Sequence, residues 1–140
     1  MPYTLDWYNE DHDIIVVRCT GRWTWEEVWE ADTKIRELAA KSDRRMDCIC
    51  DMSSSPWVPP AYAQNVEEIT EVPYTNLHTV VYIASEMFRA LLGVYESQFK
   101  ALPYSLEFAT SMNDAFKVIL HSRRKNNAPP LRPTDPKASS

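Results

Sequence analysis

The chain has 140 residues, 44% of them hydrophobic and 25% charged, which suits one globular domain able to build its own core. Fifteen basic against twenty acidic residues leave a net charge of -5, so the overall field opposes a nucleic-acid partner. Only two glycines exclude a glycine-rich phosphate loop, and three cysteines inside apolar stretches read as reduced thiols rather than a disulfide framework.

The opening "MPYTLDWYNEDHD" has no basic region followed by an apolar run, and no stretch approaches the length of a membrane span. The expectation is a cytoplasmic protein with no transmembrane segment. "YTLDWY" and "DIIVVRCTG" are rich in aromatic and β-branched residues, and the polar "NEDH" between them predicts a hairpin. "TWEEVWEADTKIRELAAK" follows as a helix, with Val28, Ala31, Ile35 and Leu38 at helical spacing and Thr24 and Glu27 in the T-x-x-E capping pattern. The acids of "WEEVWEAD" are placed mainly on its solvated outer face.

"RMDCICDM" (45–52) predicts a short buried strand closed by Asp51, and "PAYAQNVEEITEV" (60–72) a second helix. "LHTVVYIAS" reads as a strand buried on both faces, followed by a helix over about 86–101. "YSLEFAT" gives a last strand and "SMNDAFKVILHSRRK" a last helix with Ser111 as its cap. The cluster Arg123-Arg124-Lys125 reads as favourable charge at that helix's C-terminus. The order β-β-α-β-α-β-α-β-α predicts one α/β domain over 1–124, with a mostly parallel sheet and flanking helices. Residues 125–140, ending in the proline-rich "NNAPPLRPTDPKASS", are expected to form a disordered tail.

The strand, glycine and helix start in "VVRCTGRWTWEEV", the strand exit "ICDMS" and the late "FATSMNDAFKVIL" resemble the STAS domain, the fold of bacterial anti-sigma-factor antagonists. The resemblance implies a bacterial, non-enzymatic regulatory module that acts through a protein partner and needs no cofactor. In that family the strand-ending aspartate is followed by an aspartate, one or two serines and a glycine at the next helix, where one serine is phosphorylated. Asp51, Met52 and Ser53 match the strand exit, but Pro59, Pro60, Ala61 and Tyr62 stand where the acceptor segment belongs. The phospho-acceptor is missing. Proline also has no N–H to offer a phosphate at a helix start, and Asp51 would repel the added charge.

The remaining candidates are weighed residue by residue. Ser53, Ser54 and Ser55 read as loop and turn groups bonding nearby backbone. Cys48 and Cys50, two apart on a strand, share a face as small buried hydrophobes, and no C-x-x-C or H-x-x-x-H spacing supports a metal site. No serine elbow or positioned histidine supports a catalytic residue; a third reading is an enzyme whose site is assembled from residues distant in sequence, such as Asp51, Ser53, His78 and Tyr82. Five tryptophans make the "PWVPPAY" loop, at the C-terminal end of a strand, the place to look for a site. Asp51, Ser53, Trp57 and Tyr62 are therefore the expected ligand- or partner-binding residues. The alternative reading is a small apolar ligand or lipid held near 52–62, and an exposed edge strand would suit self-association as a homodimer.

Overall fold

The computed structural model describes residues 3–55, 62–72, 74–90 and 104–127; at 62, 63, 66, 70, 126 and 127 the description is of the backbone. Alternating apolar residues in β1 (Tyr3–Trp7) and the β-branched run of β2 (Ile14–Thr20) make an antiparallel hairpin, from Tyr3 opposite Cys19 to Trp7 opposite Ile15. The elements then follow as α1 (Trp25–Lys41), β3 (Met46–Ser54), α2 (Tyr62–Glu71), β4 (Leu77–Ile83), α3 (helical over 86–90), β5 (Ser105–Ala109) and α4 (Met112–Asn127). The five strands lie in the order β1-β2-β3-β4-β5, and every pair after the hairpin is parallel.

Strand periodicity divides the core into two layers. Ile15, Val17, Cys48 and Val80 point to the face covered by Ala31, Ile35 and Ala39 of α1. Ile14, Val16, Ile49 and Val81 point to the other, covered by Ala115 and Ile119 of α4. Both faces of the central strands are therefore dry, which is why their sequences read as continuous apolar runs rather than alternation. Full burial of a side chain such as Ile49 stabilises the fold by roughly 1.5–3 kcal/mol. Helix α1 starts where the capping pattern places it: the Glu27 amide donates to Thr24 Oγ1 at 3.3 Å, and the Thr24 amide to Glu27 Oε1 at 3.0 Å.

Three expectations change. Helix α4 continues through Asn127, so residues 125–127 are helical and the expected boundary after 124 falls inside its last turn. Asp32 does not lie on the solvated outer face of α1: it accepts from Arg36 Nε at 2.7 Å and from the Tyr74 hydroxyl, while Arg36 donates to the carbonyls of Ile69 (2.7 Å) and Val72 (3.1 Å) and stacks 3.7 Å over the Tyr74 ring. This group pins α1 to the end of α2. Arg123 is likewise more than a helix-terminal charge.

Arg123 turns inward beneath the strand starts. Its Nε donates to Asp47 Oδ2 at 2.7 Å, its Nη1 to Asp13 Oδ2 at 3.1 Å and its Nη2 to the Asp13 carbonyl at 3.1 Å. Asp47, 0% exposed, also accepts from Arg45 Nε (3.2 Å) and from the Thr79 amide (3.0 Å), and Arg45 Nη2 reaches Thr79 Oγ1 and Ser122 Oγ, both at 3.0 Å. Two carboxylates and two guanidinium groups thus bond one another and fasten the last turns of α4 to β2, β3 and β4, while Arg45 Nη1 is buried with no hydrogen-bond partner among the described residues. Among the described residues no helix is long and apolar enough to cross a membrane.

Candidate functional site

The C-terminal ends of the parallel strands are where an open α/β sheet leaves room for a ligand, so the exit of β3 is the place to build from. Strand β3 runs two residues past Met52, taking in Ser53 and Ser54, because the Gly21 amide donates to the Ser54 carbonyl at 3.2 Å and extends the ladder with β2. The serines are therefore not plain loop groups, and each has a different environment.

Ser53 donates its hydroxyl to Asp51 Oδ1 at 2.6 Å, and its amide donates to the same oxygen at 3.1 Å. The other carboxylate oxygen lies 3.9 Å from Nε of Arg18, the register partner of Asp51 on β2. Ser54 is exposed. Ser55 is 1% exposed, and its hydroxyl donates to the Gly21 carbonyl at 2.6 Å, a bond between residues 34 apart rather than to nearby backbone. Gly21 itself has φ +59°, the left-handed conformation that glycine adopts without a Cβ penalty. Asp51, Ser53 and Ser55 thus brace the exit of β3 and tie it to the turn that leads into α1.

Under this exit lies an aromatic layer. Trp23, Met52 and Phe88 are buried together, flanked by Trp25, Val28, Tyr82 and Phe108. Trp23 and Trp25 meet edge to face at 5.4 Å, and Tyr82 lies 6.4 Å from both Phe88 and Phe108. The Arg89 guanidinium sits 5.2 Å over Phe108 at the rim. Met87, immediately before Phe88, projects outward with 81% of its surface exposed.

The structure brings Asp51 and Ser53 together. Tyr62 opens helix α2, and Trp57 lies outside the described residues. The four residues Asp51, Ser53, His78 and Tyr82 do not converge: Ile83 is the register partner of Asp51, so Tyr82 projects from the opposite face of the sheet, and His78 lies at the other end of β4. Phe88, Phe108 and Arg89 belong to no motif in the sequence. The available signals were the Ser85 cap, whose hydroxyl receives the Phe88 amide at 3.2 Å, and the β5 register that sets Phe108 beside Tyr82.

Cys48 and Cys50 share a face as expected, with their sulfurs 4.0 Å apart, and Cys19 belongs to the same layer. Burial pushes the Cys19 thiol up to about 12, and the neighbouring Cys48 thiol together with burial pushes Cys50 upward. Thiols held protonated in this way are poor nucleophiles and poor metal ligands. Among the described residues no group of three or more His, Cys, Asp or Glu is arranged to hold a metal ion. Compared with known proteins, the chain matches no family model, no curated protein and no solved structure.

Proposed function

We propose that this domain is a non-enzymatic, STAS-like regulatory module that binds a protein partner through the exit of β3 and the adjoining rim, without the phosphoserine switch of that family. The carrying observation is Met87, almost wholly exposed on the helix whose next residue, Phe88, is packed against Met52 of β3. A flexible apolar side chain exposed next to a packed aromatic residue suits a partner surface. The bond from Ser53 to Asp51 supports the loss of the switch, since a phosphate at Ser53 would set two negative groups against each other.

The test is binding by the full chain against its Met87→Asp and Trp57→Ala variants. A partner retained by the wild type and lost by both, with melting temperatures nearly unchanged, supports the reading; equal retention by all three overturns it. The aromatic layer under the exit favours a second reading, a small apolar ligand held near 52–62. Native mass spectrometry of gently purified protein separates the two, because a bound ligand adds a small mass that disappears on denaturation.

A further inference from the structure

The acidic balance of the chain is unevenly distributed over the fold. Helix α2 reads "YAQNVEEITE", with Glu67, Glu68 and Glu71 exposed in its second half and no basic residue anywhere along it. That end of a helix carries the negative pole of the macrodipole, so acidic residues there work against local stability. Inside the fold Arg36 offsets part of this, by donating to the Ile69 and Val72 carbonyls. Glu26 and Glu37 add exposed negative charge on the neighbouring α1.

Helix α4, on the opposite face of the sheet, has the reverse character. Arg123 turns inward to Asp13 and Asp47, leaving Lys117, His121, Arg124 and Lys125 exposed at spacings i, i+4, i+7 and i+8, which is one outward stripe. Among the described residues no acidic side chain pairs with Lys117, Arg124 or Lys125. The stripe is about 12 Å long; the acids of α2, from Glu67 to Glu71, span about 6 Å, and Glu26 and Glu37 carry the negative surface onto α1.

We propose that the basic stripe of α4 docks on the acidic α1–α2 face of a second copy of this chain. A net charge of -5 opposes a polyanionic partner such as nucleic acid, whereas the α1–α2 side of the molecule carries exposed acids opposite in sign to the stripe. The contact is heterologous, since the two surfaces differ; an open assembly keeps one free face of each kind at its ends, and a closed ring keeps none. It uses faces other than the β3 exit and stands whether or not that exit binds a partner.

The experiment is sedimentation velocity of the full chain over a concentration series, with charge reversals on each face. The first variant carries Lys117→Glu, Arg124→Glu and Lys125→Glu; the second carries Glu67→Lys, Glu68→Lys and Glu71→Lys. The wild type is expected to associate as its concentration rises, each variant alone to associate at least about tenfold more weakly, and an equal mixture of the two to associate again. A control with Glu10→Lys and Asp43→Lys keeps the wild-type behaviour. A wild type that stays monomeric, a single-face variant that associates like it, a mixture that stays monomeric, or a control as weak as the variants overturns the proposal. Should either triple variant lose its helical circular dichroism, Arg124→Glu and Glu68→Lys carry the same test as single changes.

Discussion

Asp47 and Arg123 meet at 2.7 Å, 76 residues apart in the chain, with the aspartate wholly buried. The pair is the keystone of the ionic group beneath the sheet, because Asp47 also holds Arg45 and the Thr79 amide. Removing one partner of such a group strands the other charge in a dry site. Asp47→Ala is expected to destabilise the fold by about 3–5 kcal/mol, and Asp47→Ala with Arg123→Met by less than the sum of the two single changes. Urea unfolding of the four proteins in that cycle checks both statements.

The three serines at the β3 exit separate by environment. Ser55→Ala removes the hydroxyl that satisfies the Gly21 carbonyl and is expected to cost about 1–2 kcal/mol. Ser54→Ala, at an exposed position, is expected to stay within about 0.5 kcal/mol of wild type. Equal melting temperatures for the two variants would show that the tie between Ser55 and Gly21 adds nothing to stability.

Asp13 gives the fold an acid-sensitive component. Burial opposes its ionisation, but the Asn9 amide and the Arg123 guanidinium outweigh that and hold its carboxyl below the ordinary 3.8. A depressed folded-state value means that the stabilisation is complete above the unfolded value and is lost as pH falls through the lower folded one. The stability difference between wild type and Asp13→Asn is therefore expected to be largest near neutrality and to shrink below about pH 4, as denaturant midpoints at several pH values would show.

The Cys19 thiol works at the opposite end of the scale. With its folded value raised from 9.0 to about 12, the native state keeps the proton that the unfolded chain releases, so its contribution to stability is lost as pH rises from 9 towards 12. Near pH 8 the native protein is expected to resist alkylation at Cys19, and the urea-unfolded protein to react readily. Mass spectrometry after a short iodoacetamide pulse reads the difference.

Much of the architecture is legible in the residue pattern. Thr24 and Glu27 announce the start of α1, the apolar run from Leu77 identifies a strand covered on both sides, and alternating elements imply a mostly parallel sheet. The polar chemistry is less legible, because its partners are chosen by packing across the fold rather than by spacing. Asp47 sits within the apolar run "RMDCICDM", and nothing near it in sequence points to Arg123. Asp32 follows the exposed acids of α1 but faces Tyr74 on the far side of β3 and α2 in the chain. Ser55 reads as one more turn serine until the fold brings Gly21 over it. Asp51 and Ser53 stand together in sequence and in the fold, because their bond spans two residues, a distance that a sequence does record.

The consecutive strand order has a consequence for vectorial synthesis. Among the described elements, Ala115 and Ile119 of the last helix are what cover Ile14, Val16, Ile49 and Val81. Strand β2 leaves the ribosome about 100 residues before its cover does, so this contact has a high sequence separation and closes late. In the interval one side of the nascent sheet presents β-branched side chains to water, a surface to which a chaperone binds or on which another unfinished chain aggregates. Nascent chains halted before α4 should therefore be sticky, and those that include it should not.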